Sequence, residues 1–184
     1  MQTLAIYAGH GGLDPGAIGS GYMEKDLTLA VSKALTKLLR QKGYMVINNR
    51  TKDTDRSIEA DADLANSSHV DAVIELHLNS SRVQSAQTAE PPSGAEAYVS
   101  INDKGTARKI GNAILEKISA LGYKNRGVKT LTDAARQDVL GILRLINAPT
   151  VLVEMAFINN HADMKQFDIV KMATAIAEGI ETSL

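Results

Sequence analysis

A run of glycines set directly after an apolar strand constrains this chain more than any other feature: Ala8-Gly9-His10-Gly11-Gly12-Leu13-Asp14-Pro15-Gly16-Ala17. A turn so rich in Gly and Pro reaches φ values closed to other residues, so it ends a strand abruptly and aims one side chain away from it. That side chain is His10. An imidazole on a rigid strand end, followed by the carboxylate of Glu24, supplies the first two ligand types that a zinc site needs.

The bulk properties restrict what such a site can serve. A chain of 184 residues that is 44% hydrophobic fits one domain, 1–184, with a single large core. Its 20 basic and 21 acidic residues leave a net charge of -1, which provides no electrostatic case for nucleic acid or an anionic membrane surface. The absence of cysteine excludes a disulfide scaffold, a thiolate zinc finger and a cysteine nucleophile together, so any metal must use His and carboxylate. The apolar start, residues 1–7, lacks a basic leader and runs straight into the glycine turn, so it reads as a first core strand and not as a signal peptide. No stretch approaches the ~20 apolar residues of a membrane span, and no membrane insertion is expected.

Apolar spacing predicts the elements. Leu27, Val31, Leu35 and Leu38 mark a helix over 24–42, stopped by Gly43. A strand follows at 44–47 and a short helix at 57–66. Residues 70–78 form an apolar run interrupted by Glu75 and His77, as in a central strand buried on both faces. The polar, proline-containing segment 81–93 reads as a surface loop forming a rim or lid. A strand at 95–99, a helix through Ala107, Ile110, Ile114, Ile118 and Leu121, a buried strand at 150–155 and a last helix through Ile169, Ala173, Ile176 and Ile180 complete the pattern. Strands alternating with helices predict an α/β fold: a single domain whose twisted, mostly parallel sheet is flanked by helices on both faces. Sites in such sheets form at the carboxyl ends of the strands, where His10, His77 and Glu154 all fall.

Each of these polar residues has an ordinary structural explanation as well. His10 would serve as a loop histidine bonded to backbone, and Glu24 as a carboxylate at a helix start, favoured by the helix dipole. His77 is harder to explain away, since a ring in a buried strand needs a partner. Glu154, inside Val-Leu-Val-Glu-Met, is the sharpest anomaly, because an ionised carboxylate there is costly unless paired, neutral or beside a cation. Two histidines and a glutamate make a catalytic-type zinc set with a fourth position for water, and a second glutamate remains to act on that water. Glu75, on the same side of its strand as His77, competes for these roles; its depth in the strand favours supporting an imidazole. His69 and His161 compete as ligands but sit in polar, helix-end surroundings and are expected to be solvated.

The glycine turn, Glu24-Lys25-Asp26, His77-Leu78-Asn79-Ser80 and Leu152-Val153-Glu154-Met155-Ala156-Phe157-Ile158-Asn159-Asn160 together resemble the zinc-dependent N-acetylmuramoyl-L-alanine amidases, in the right order and across almost the whole chain. Leu140-Gly141-Ile142-Leu143-Arg144 and Ala148-Pro149 are similar to that family's approach to its glutamate strand. The resemblance implies that His10, Glu24 and His77 are zinc ligands and Glu154 the catalytic glutamate. Glu75 departs from the family, many of whose members carry a small hydroxyl residue there, and 81–93 carries no family motif.

The resemblance implies a peptidoglycan hydrolase that cleaves the amide between the lactyl group of N-acetylmuramic acid and L-alanine of the stem peptide. Two other readings stand beside it: a zinc carboxypeptidase-like peptidase, with Arg126 or Arg144 holding a terminal carboxylate, and a non-catalytic wall-binding module of the same fold. The expected place of action is the bacterial cell wall, the chain being exported by other means, phage-released or part of a longer autolysin. Its near-neutral charge predicts a separate wall-binding region or partner.

Overall fold

Alternating apolar strands and amphipathic helices have one economical arrangement, in which the strands share a sheet and the helices bury their apolar stripes against it. The computed structural model, which describes residues 1–81 and 91–184, has this arrangement. In chain order the elements are β1 (Thr3–Ala8), a small hairpin of β2 (Ile18–Gly19) and β3 (Tyr22–Met23), α1 (Glu24–Gln41), β4 (Met45–Ile47), α2 (Ile58–Ser67) and β5 (Ala72–Asn79). There follow β6 (Ala95–Val99), α3 (Thr106–Ala120), β7 (Asn125–Lys129), α4 (Gly141–Leu145), β8 (Thr150–Phe157), α5 (His161–Gln166) and α6 (Ile169–Ser183). The main sheet has the order β4-β1-β5-β8-β6-β7. β4, β1, β5 and β8 run parallel; β6 is antiparallel to β8 and parallel to β7. The expected mostly parallel sheet with helices on both faces is therefore present.

The two faces are unequal, and this positions the site. One carries Leu4, Ile6, Ile74, Leu76, Val151 and Val153, packed under the long helices α1, α3 and α6 through residues such as Leu35, Ile114 and Ile176. Successive side chains of a strand point to opposite faces, so Ala5, Tyr7, Val73 and Leu152 face the other way, under Ala62 and Ala65 of α2 and Ile142 and Leu143 of α4. These two helices are short, at 10 and 5 residues. Their cover stops before the strands do. Further along β5 on the same face, Glu75 and His77 line a cavity of about 230 Å³ together with His10, Asn49, Asp61 and Leu152.

Five elements were not legible in the sequence pattern. The β2–β3 hairpin has two residues per strand, α4 and α5 are too short for a helical period, and β7 is a half-exposed polar edge strand with no apolar run. The expected rim or lid over 81–93 falls mostly on 82–90, outside the described residues. The flanks are anchored: Ser81 O accepts from Asn159 Nδ2 (2.7 Å) and Pro91 O from Asn160 Nδ2 (2.8 Å). No helix among the described residues is long and apolar enough to cross a membrane.

Candidate metal centre

The glycine turn begins where β1 leaves its pairing with β5. Gly9 N donates to Leu76 O (3.0 Å), extending the ladder one residue past β1. A Cβ on Gly9 would stand 2.4 Å from His77 Cε1, so only glycine lets the two strand ends approach this closely. His10 then takes φ 61°, a left-handed conformation uncommon for a residue with a side chain. Such conformations persist where the surroundings over-determine them. Here Gly11 and Asp14 exchange two backbone bonds of 3.0 Å, and the Asp14 carboxylate accepts from His10 Nδ1 at 2.7 Å and from Gly16 N at 3.0 Å. With Nδ1 donating to Asp14, the other ring nitrogen, Nε2, faces Glu24 Oε1 at 3.2 Å.

Glu24 is the first residue of α1, but its carboxylate does not act as a helix cap. Oε2 accepts from Ala17 N (2.8 Å), while Oε1 accepts from Leu78 N (2.9 Å) and lies 2.9 Å from His77 Nδ1. The residue is buried. Gly16 is required beside it, because a Cβ there would meet Glu24 Oε2 at 2.7 Å and His10 Cδ2 at 2.6 Å. The His10 and His77 rings meet edge to face, their centroids 4.9 Å apart at 82°. One donor atom from each of His10, Glu24 and His77 lies within 4.8 Å of the others. The glycine turn, the start of α1 and the end of β5, three segments that include positions far apart in sequence, thus converge on one carboxylate.

This donor set fits zinc. Zn–N and Zn–O bonds of about 2.0–2.2 Å place tetrahedral ligand atoms about 3.3–3.6 Å from one another, a few tenths of an ångström beyond the separations of 2.9 and 3.2 Å found here. Each histidine has a carboxylate on its outer ring nitrogen: Asp14 on Nδ1 of His10, and Glu75, whose Oε1 lies 3.6 Å from Nε2 of His77. Carboxylate–histidine pairs of this kind orient metal-binding imidazoles. Glu75 Oε2 and Glu154 Oε2 are buried without a hydrogen-bond partner, two uncompensated acceptors of the sort that a nearby cation offsets.

The electrostatics follow from this crowding. Burial pushes the Glu24 carboxyl upward, but hydrogen bonds from both imidazoles outweigh it and hold the group well below the usual carboxylate range. Burial opposes protonation of His10 and His77, yet Glu24 raises both, helped by Asp14 at His10 and by Glu75 at His77. Glu154 lies directly opposite His77 in the β5–β8 register and opposite Glu96 in the β8–β6 register. Burial pushes its carboxyl up to about 7, with the His77 charge working against this and Glu24, Glu96 and Glu75 adding to it.

The structure brings together His10, Glu24 and His77, with Glu75 and Glu154 alongside. His69 and His161 are exposed, as expected. The two arginines considered as carboxylate holders differ: Arg144 is exposed and donates to Asp138 O, whereas Arg126 bonds Glu96 at 2.6 Å, beside Glu154. Sequence reasoning missed two participants. Asp14 was visible only as part of the turn, and Glu96 is a buried charge in an apolar strand, the same anomaly that singled out Glu154.

A family model described as N-acetylmuramoyl-L-alanine amidase matches residues 4–183. The chain is 30% identical to N-acetylmuramoyl-L-alanine amidase LytC of Bacillus subtilis (strain 168), over 97% of this chain and 34% of that protein. Cwp6 from Clostridium difficile superposes with a TM-score of 0.91 at 35% identity, over 100% of this chain and 29% of that one. An N-acetylmuramoyl-L-alanine amidase from Clostridium difficile 630 superposes with a TM-score of 0.84 at 28% identity, over 98% of this chain and 95% of that one. The chain thus spans about a third of LytC and of Cwp6 but nearly all of the third protein. With the family matched over residues 4–183 and the fold shared end to end, this chain belongs to the N-acetylmuramoyl-L-alanine amidase family.

Proposed function

We propose that the chain hydrolyses the amide between the lactyl group of N-acetylmuramic acid and L-alanine of the peptidoglycan stem peptide, at the cell wall. His10, Glu24 and His77 hold a zinc ion, and Glu154 moves the proton. The observation that carries this reading is the convergence of His10 Nε2 and His77 Nδ1 on Glu24 Oε1, with Glu154 directly opposite His77 on the next strand. A zinc ion bound there supplies Lewis acidity toward the amide carbonyl and lowers the pKa of water.

The remaining steps belong to this chain's own residues. Asp14 and Glu75 fix the ring orientations of His10 and His77. The Glu154 carboxylate accepts a proton from the attacking water, and the same carboxyl returns it to the departing nitrogen of L-alanine. A group whose proton affinity has been pushed up to about 7 suits both roles near neutral pH. The carboxypeptidase-like reading is not favoured, because the named relatives are amidases. The binding-module reading leaves Glu154 without a purpose. A net charge of -1 supports a wall grip supplied by a partner or separate region.

The test pairs metal analysis with mass spectrometry of digested peptidoglycan. Chelation is expected to abolish release of peptides with new L-alanine amino termini, and zinc to restore it. His69→Ala and His161→Ala are expected to retain metal. Stoichiometric zinc in the His10→Ala, His77→Ala double variant, or release of carboxyl-terminal amino acids instead of whole peptides, would overturn the reading.

A further inference from the structure

The sheet carries a second cluster of charge one strand beyond Glu154. Glu96, 3% exposed, is opposite Glu154 in the antiparallel β6–β8 register and shares its face. Its Oε1 accepts from Tyr98 OH (2.7 Å) and Asn79 Nδ2 (2.9 Å). Its Oε2 accepts from both Arg126 Nε and Lys129 Nζ, each at 2.6 Å. Two cations therefore meet one carboxylate, so Glu96, Arg126 and Lys129 taken together carry a positive charge at the edge of the candidate site, with the Glu154 carboxyl as their next acidic neighbour.

Both cations are within reach of a ligand, with side chains 25% and 38% exposed. Arg126 is also stiffened, its guanidinium carbon 5.0 Å from the centroid of the Phe157 ring and its Nη1 donating to Ser93 O at 3.4 Å. The positive charge is thus held in a set geometry, the kind of preorganisation that makes a charged contact selective. Across the sheet the order is His77 on β5, Glu154 on β8, Glu96 on β6, then Arg126 and Lys129 on β7. Strands lie about 4.8 Å apart, so the cations gathered at Glu96 stand about 10 Å from the His77 strand. An extended peptide covers about 3.3–3.6 Å per residue, so this separation corresponds to two or three residues.

We propose that Arg126 and Lys129 form a subsite for a free carboxylate of the stem peptide, carried two or three residues beyond the scissile amide. The inference rests on the amidase reading above, and it makes the pair specificity-determining residues for that reaction. Bound substrate lies across the strand ends, with its amide at the His10–Glu24–His77 centre and its carboxylate at the β7 edge. Glu96 positions the two cations.

The test uses synthetic muramoyl-L-alanyl peptides in pairs that differ only in bearing a carboxylate or a carboxamide, placed on the second stem residue in one pair and on the third in the other. The zinc-loaded protein is expected to prefer the carboxylate by about tenfold, expressed in KM and not in kcat, as for a charge-assisted hydrogen bond. Arg126→Gln is expected to bring the ratio near one, Arg126→Lys to retain part of it, and Lys129→Gln to reduce it. Equilibrium binding of each pair, measured in parallel, reads the subsite without turnover. An unchanged preference in Arg126→Gln and Lys129→Gln would overturn the proposal, as would an equal loss of kcat for both peptides of a pair. Failure of the wild-type protein to cleave any of the peptides refutes the amidase reading, while the binding ratio still decides the subsite.

Discussion

Replacing Glu154 by Gln is expected to remove catalysis and, in the same molecule, to stabilise the metal-free fold. The substitution keeps the size of the side chain but cannot accept a proton from water, and loss of a general base costs roughly 10²–10⁴-fold in rate. The stability effect comes from the same burial that makes the group a useful base. Its carboxyl titrates at about 7 in the folded protein against an ordinary 4.5. Because the folded value is the higher one, the contribution to stability is fully present below the ordinary value and is lost as the pH rises through 7. At about 1.4 kcal/mol for each pH unit separating the two values, the wild-type fold gives up about 3 kcal/mol by pH 8 but less than about 1 kcal/mol at pH 5. Gln carries no charge at either pH. Its amide inherits the unbonded position of Glu154 Oε2, so that penalty is shared by both side chains and largely cancels. Urea unfolding of chelator-treated protein checks this: Glu154→Gln should raise the midpoint clearly at pH 8 and little at pH 5, with similar slopes. Added zinc should shrink the pH 8 gain, since a cation beside the carboxylate offsets its burial. Equal stability at pH 8, or the same gain at both pH values, would refute the reasoning, and full activity in the variant would refute Glu154 as the base.

Other perturbations separate the supporting parts. Gly9→Ala places a methyl group 2.4 Å from the His77 ring and should cost about 1–3 kcal/mol in stability together with a marked loss of zinc affinity, read by thermal melts with and without metal. Glu75→Gln removes the carboxylate on His77 Nε2 and should weaken zinc binding by about 10–100-fold in a chelator competition, with excess zinc recovering part of the activity; full zinc occupancy with no activity would instead make Glu75 the base.

The legible part of the site was written in residues that contradict their local surroundings. His77 and Glu154 interrupt apolar strands, and the glycine turn carries a histidine where only backbone freedom was needed. Glu96 breaks its strand in the same way, but a single charge between small residues in Ala-Glu-Ala-Tyr-Val stood out less than one inside Val-Leu-Val-Glu-Met. Glu24 was locally silent. At a helix start a carboxylate is ordinary, and only the approach of His10 and His77, with 53 residues separating Glu24 from the latter, gives it four contacts. Asp14 was silent for a similar reason: an aspartate in a Gly-Pro turn has enough local work, and its hold on His10 Nδ1 depends on the left-handed φ of that histidine.

The sequence by itself determined the alternation of strands and helices, hence the sheet with helices on both faces, because periods of 2 and 3.6 are properties of neighbouring residues. It also determined the chemistry available to the site, a metal held by histidine and carboxylate in a chain without cysteine. Tertiary structure decided the strand order, the unequal faces and the pairing of His77 with Glu154 and of Glu154 with Glu96. It alone set the roles of the five glutamate and aspartate side chains gathered there. A carboxylate becomes a ligand, an orienter of a ring or a base according to its burial and to which charges stand beside it, and those neighbours come from segments that meet only when the chain has folded.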